Sequence, residues 1–178
     1  MAKSTWAIDP AHSEISFKVK HMMITNVYGK FDSFDATIEN EDEEFENSEI
    51  NFTAQIKSIN TGNADRDNHL RSGDFFDVDH FAVISFNTTA VLKGSDGDYT
   101  INGDLTIKDV TKNITLEAEY GSPTLDPWGN NKIGLSVSGK INRKDFGLTW
   151  NTALESGGVL VGEEIKLIAE LQFVKKVS

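Results

Sequence analysis

The chain has 178 residues, a net charge of −11 and no cysteine. Its length suits one domain, 1–178, with a sizeable core, and its charge opposes polyphosphate backbones and anionic membrane surfaces. Without cysteine there are no disulfides, thiolate metal sites or cysteine nucleophiles, so stability has to come from packing.

The start MAKSTWAIDP has no apolar stretch after its lysine, and no window approaches the roughly 18 apolar residues of a membrane-spanning helix. A cytoplasmic location without stable membrane insertion is the expectation. A chain stripped of an export leader, and therefore periplasmic, would read the same way.

From there the dominant pattern is period-two alternation, which places apolar side chains on one face of a strand. The apolar phase runs through Ile15, Phe17 and Val19, then Phe34, Ala36 and Ile38, then Ile50, Phe52, Ala54 and Ile56. After residues 61–81 it resumes at Ile84 and Phe86, with Ala90 beyond, and continues through Tyr99, Ile101, Gly103 and Leu105. The last three runs are Ile114 to Tyr120, through Leu116 and Ala118; Ile133 to Ile141, through Leu135, Val137 and Gly139; and Ile165 to Phe173, through Leu167, Ala169 and Leu171. The opposite phase is polar, as in antiparallel sheet with one wet face. KGSDGD and DPWGNN supply turn chemistry between strands. The acidic run ENEDEEFEN reads as a solvated hairpin loop.

Eight amphipathic strands form a sandwich or close into a barrel, and closure removes exposed edges. A barrel of this size is either filled by side chains or holds one small ligand. Ala36, Ala54, Gly103, Ala118, Gly139 and Ala169 are small residues flanked two positions away by large ones. Such a ring either leaves an internal apolar cavity or fits the barrel taper. Strands of about ten residues make a barrel roughly 25 Å tall, a tube suited to a chain-like ligand.

The segment TGNADRDNHLRSGDFF has the signals of a short helix: Thr61 or Asn63 as N-cap, Asp65 and Asp67 in the first turn, Arg71 in the last and Gly73 beyond. Asp67 with Arg71, and Asp65 with His69, stand four apart and are expected to pair. Phe75, Phe76 and Phe81 require burial, so the segment reads as a lid on the open end of the barrel. An EF-hand template fails because His69 and Leu70 occupy the third-ligand and glycine positions. A zinc site using His69, His80 and Asp74 or Asp77 lacks a supporting spacing, so no metal is expected. His12 and His21 flank the first strand, with Ser13 beside His12, but there is no GxSxG elbow to complete a hydrolase. Trp6, Trp128 and Trp150 read as plugs at the barrel ends.

Five segments together carry a family resemblance: WAIDPAHSEISFKVKHMMITNVYGKF, INTGNADRDNHLRSGDFFDVDHFAVISF, INGDLTIKDVTKNITLEAE, GKINRKDFGLTWN and VGEEIKLIAELQF. In this order and spacing the chain resembles the YceI-like family of polyisoprenoid-binding proteins. Two positions depart from it: Ala82, where the family tends to have proline, and Asp109, where a turn glycine is usual. The resemblance implies an all-β, extended eight-stranded antiparallel lipocalin-like barrel with a short helix and loop as lid, enclosing an apolar pocket. The implied ligand is an isoprenoid chain, a polyprenyl phosphate or quinone. No cofactor is expected, the acidic charge opposes a nucleic-acid partner, and a homodimer is left open.

The expected tail-contacting positions are Phe17, Val19, Ala36, Ile38, Phe52, Ala54, Ile56, Phe86, Ile101, Gly103, Leu116, Ala118, Leu135, Val137, Gly139, Leu167 and Ala169. Arg66, His69 and Arg71 are the expected head-group contacts, with pairing inside the helix as their alternative role. A non-catalytic carrier is the first expectation. An enzyme acting on a hydrophobic substrate through His12, His21 or His69 is the second, and a filled barrel acting through its acidic exterior the third.

Overall fold

The structure is a computed structural model that describes residues 3–41, 44–151, 154 and 160–176. The described strands are β1 (Lys3–Ile8), β2 (Glu14–His21), β3 (Thr25–Phe31), β4 (Phe34–Glu41), β5 (Glu49–Gln55), β6 (Ile59–Asn60), β7 (Val83–Lys93), β8 (Asp98–Ile107), β9 (Val110–Leu125), β10 (Asn131–Asn142) and β11 (Val161–Lys175). Among the described residues one α-helix, α1 (Ala64–Arg71), interrupts them.

Every pairing is antiparallel, and eight strands close a ring in the order β1, β4, β5, β7, β8, β9, β10, β11 and back to β1. The fold is therefore a closed eight-stranded barrel. Toward the other end, β2, β3 and β6 continue from β11, so these three extend the places of β1, β4 and β5. β1 and β2 lie along the same partner, with Ile8 opposite Phe173 and Ile15 opposite Ala169. Ser13 bridges the break between them: its hydroxyl donates to the Gln172 carbonyl and accepts from the Gln172 amide. A hydroxyl thus replaces a ladder bond where the strand bulges.

The turns follow their residues. Asp96 and Gly97 both adopt positive φ, 52° and 82°, at the β7–β8 hairpin. At the β8–β9 turn the left-handed position belongs to Lys108 (φ 59°), so Asp109 does not need the freedom of glycine. Among the described residues, no helix is long and apolar enough to cross a membrane.

The end reached by the β4–β5, β7–β8 and β9–β10 hairpins, called the base here, is packed solid. Trp6, Ile38, Val91 and Phe173 are completely buried there, and Ile133 nearly so. The Trp6 indole N–H donates to Asn40 Oδ1 at 3.2 Å, which removes the cost of burying it. The acidic run is more than a solvated loop. Phe45 within it is 1% exposed, stacked on Tyr120 at 4.6 Å and edge-on to Tyr99 at 4.8 Å. Asp42 and Glu43 lie outside the described residues. Trp6 is a plug as expected, and Trp150 lies half-buried at the opposite end, but Trp128 is 83% exposed on the β9–β10 tip. The turn around it is held by Asp126, whose carboxylate accepts from the Trp128 and Asn130 amides, leaving the indole without a role in packing.

Candidate functional site

Above the base, the barrel is hollow. A cavity of about 510 Å3 lies between the strands and opens beside α1, within the roughly 300–1,000 Å3 of small-molecule sites. Its floor is Ile101, Leu135 and Phe173, and its walls include Ile15, Phe17, Val19, Phe52, Ile114, Val137 and Leu167. These wall residues point inward yet are only half-buried, because they face space instead of neighbours.

Of the expected tail positions, Phe17, Val19, Ala36, Phe52, Ala54, Phe86, Ile101, Leu116, Leu135, Val137, Leu167 and Ala169 line the cavity. Ile38 and Ile56 belong instead to packed regions, each completely buried and off the cavity wall. Gly103, Ala118 and Gly139 do not line it either. A Cβ at Gly103 would collide with the Phe86 ring and come 2.8 Å from the Asn87 carbonyl, and one at Gly139 would collide with the Leu116 side chain. These glycines are seats over which neighbouring large side chains lie, so they fill the wall. Ala118 sits opposite Tyr99, toward the aromatic base. The open waist therefore comes from Ala36, Ala54 and Ala169 alone among the six small residues, and the tube is not empty along its whole length.

The cavity also has lining residues that alternation did not single out. Leu70, Phe75 and Phe76 come from the lid, Phe31 from β3, and Leu148, Trp150 and Arg143 from the β10–β11 connection. For the lid residues, the burial that Phe75, Phe76 and Phe81 require is the signal the sequence carries. No comparable signal marked Arg143, which is 2% exposed.

Arg143 spends its donors on backbone. Nε donates to the Gly162 carbonyl at 2.8 Å, Nη1 to Leu148 and Trp150 at 2.6 and 2.9 Å, and Nη2 to Val161 at 3.2 Å. It thereby ties the two ends of the connection together. Burial pushes its pKa down from the arginine range, opposed by the charge of Glu163. Asn151 adds a second tie, donating to the Val161 carbonyl and accepting from its amide.

The helix caps as expected through Asn63, whose side chain accepts from the Arg66 amide. Its charges do not pair as expected. Asp67 is buried and accepts from the Thr61 amide at 2.9 Å and the Thr61 hydroxyl at 2.6 Å, closing the loop that enters the helix. Arg71 turns away from the cavity and donates to the Lys57 and Ile59 carbonyls and to Asn68 Oδ1. His69 pairs with Asp74 at 2.9 Å instead of Asp65, and packs edge-on against Trp150. Short local partners win because an exposed pair four residues apart contributes only about 0.3–0.5 kcal/mol.

Arg66 and His69 line the cavity, Arg71 does not. Arg66 remains anchored, with Nε donating to Thr61 Oγ1 and Nη2 to the Thr61 carbonyl. His80 pairs with Asp77, apart from the His69–Asp74 pair, and among the described residues no three His, Asp or Glu side chains converge as a metal site. His12 is bonded to Asp9 on the exterior, and Ser13 is committed to Gln172. Of the histidines named above for chemistry, His21 and His69 reach the cavity.

A family model described as a YceI-like domain matches residues 6–173. A UPF0312 protein of Staphylococcus aureus strain N315 is 39% identical over 171 residues, covering 96% of this chain and 97% of that protein. A Campylobacter jejuni YCEI protein of known structure is 34% identical with a TM-score of 0.74, over 89% of this chain and 90% of that one. Two more distant structures share the fold. Burkholderia cenocepacia BcnA has a TM-score of 0.80 at 19% identity, covering 93% of this chain and 98% of its own. A polyisoprenoid binding domain from Saccharophagus degradans has a TM-score of 0.69 at 14% identity, covering 96% and 98% respectively. With the barrel, its half-hollow interior and these matches in hand, the chain belongs to the YceI-like domain family.

Proposed function

We propose that this protein is a non-catalytic carrier or storage protein for a long-chain isoprenoid lipid, a polyprenyl phosphate or an isoprenoid quinone. The observation that carries the reading is the cavity: some 510 Å3, walled by Ile, Leu, Val, Phe and Ala, with charged groups at its mouth. The Saccharophagus degradans domain, which shares this fold, is described as polyisoprenoid-binding, and that supports the same ligand class here.

The energetics are adequate. Each methylene removed from water contributes about 0.8 kcal/mol, so three five-carbon units bring roughly 12 kcal/mol, against about 4–15 kcal/mol lost on association. The tail would lie against Phe17, Val19, Phe52, Val137 and Leu167, with room left by Ala36, Ala54 and Ala169. A phosphate or quinone oxygen at the mouth would meet Arg66 and His69. Arg71 is too fully engaged with Lys57 and Ile59 to share that role.

Solvent extraction of natively purified protein, followed by mass spectrometry, tests the proposal. The expected result is an isoprenoid in near-stoichiometric amount, or saturable uptake of added isoprenoid by stripped protein. Neither a resident lipid nor uptake would overturn it. One observation favours a second reading, an enzyme: His69 is held by Asp74 at the cavity rim, as a general base would be. Loss of turnover of a lipid substrate in His69→Ala, with lipid retention unchanged, would decide for that reading.

A further inference from the structure

The β2–β3 hairpin stands beside the cavity mouth, and its composition departs from the rest of the molecule. Its three-residue loop is Met22, Met23 and Ile24, exposed by 43%, 59% and 74%. Met22 and Met23 both adopt left-handed φ, 53° and 61°. A loop of this shape favours Asn, Asp or Gly, so apolar side chains stand at the tip against the preference of the backbone.

The ribbon below the tip has two different faces. Inward, Phe17, Val19 and Val27 line the cavity, and His21 closes the row at the mouth. Outward, Lys18 pairs across the strands with Tyr28, Lys20 with Asn26, and Ser16 with Lys30. From Ile15 to Phe31 there are three lysines and no carboxylate, in a chain of net charge −11. The nearest carboxylates on β11, Glu163 and Glu164, are matched by Lys144 at 2.7 Å and Lys140 at 4.0 Å, and Lys30 faces Asp32 at 3.8 Å. The β9–β10 hairpin at the base offers the contrast: it also exposes apolar groups, Leu125 and Trp128, but its turn is built on Asp126.

We infer that the β2–β3 hairpin docks on an anionic lipid bilayer, placing Met22, Met23 and Ile24 among the acyl chains and Tyr28, Lys18, Lys20 and Lys30 at head-group level. Three apolar side chains on one tip are far fewer than the roughly 20–30 residues per side of a stable protein interface. They suffice for a bilayer, where a few apolar groups and about one lysine-sized attraction at a time add up. Tyrosine and lysine carry an apolar stem with a polar end, which suits the head-group layer. Docked this way, the mouth faces the membrane and a tail crosses between them without passing through water.

This goes beyond the carrier reading, and its test needs no isoprenoid, so an empty cavity and an inert hairpin fail separately. Because the chain has no cysteine, Met23→Cys and, as control, Trp128→Cys each accept one environment-sensitive fluorophore. On vesicles of phosphatidylcholine with phosphatidylglycerol, the label at 23 shifts to the blue, less so in high salt, and the label at 128 does not. The double variant Met22→Asn, Met23→Gly relaxes the turn and should melt no lower than the parent, while binding vesicles about tenfold or more weakly. An unshifted label at 23, equal shifts at both positions, or unchanged binding by the folded double variant would overturn the inference. So would a shift at 23 that appears on concentrating the protein without vesicles, which would assign the tip to a second copy.

Discussion

The two halves of one barrel use the same strands to opposite ends. At the base, alternating side chains meet a ring closed by eight paired strands, and Phe45 arrives from the β4–β5 connection to stack on Tyr120. In the upper half the alternation is just as regular, yet among the described residues no side chain enters from outside to fill the centre. Phe75, Trp150 and His69 pack on one another at the rim, 4.6–5.4 Å between centroids, and stay there. Strand pattern makes a barrel, and what enters from the loops decides whether it is solid.

Replacing a side chain that fills the base should therefore hurt stability most. Trp6→Ala removes a completely buried indole and its bond to Asn40, and should cost about 3–5 kcal/mol in denaturant unfolding. Arg143→Met should come next. It strips donors from four buried or half-buried carbonyls, at roughly 3 kcal/mol, and should lower the melting temperature by about 6–12 °C.

Added volume sharpens the contrast further. Ala118→Phe pushes into the filled region beside Tyr99 and should destabilise by about 1–3 kcal/mol. Ala169→Phe points into the cavity, so it should cost less than about 1 kcal/mol while abolishing isoprenoid uptake. Equal penalties for the two would mean that the upper half is packed as well.

Acid should produce the smallest and most diffuse change. Hydrogen bonds from His12 and Lys132 hold the Asp9 carboxyl below the usual carboxylate range, and those from Asn130 do the same for Asp126. A depressed folded-state value contributes stability that is fully present above the unfolded carboxylate pKa and is lost as pH falls through the folded value. Thermal melts should thus fall below about pH 4, with Asp9→Asn flattening that fall.

The same contrast explains what was legible in the sequence. Period-two alternation sufficed for the barrel, because closure needs only one buried face per strand. The alternation gives eight strands without β1, β3 and β6, since β1 and β2 share one place along β11, β3 continues into β4 and β6 extends β5. The cavity was reached through a partly wrong cause. A small residue in a strand makes space only when its diagonal neighbours leave it uncovered, and Phe86 over Gly103 and Leu116 over Gly139 do the reverse. That relation depends on register, which linear spacing does not carry. In α1, helical spacing suggested ion pairs, but Thr61 and the Lys57 and Ile59 carbonyls lay closer.

The most direct measurement is a methyl NMR titration of stripped protein with a long-chain isoprenoid quinone. The account predicts saturable shifts at Ile15, Val19, Ile114 and Leu167, with Ile38, Val91 and Ile133 unmoved. Shifts spread evenly over both sets, or absent from the first, would contradict a barrel that is solid below and open above.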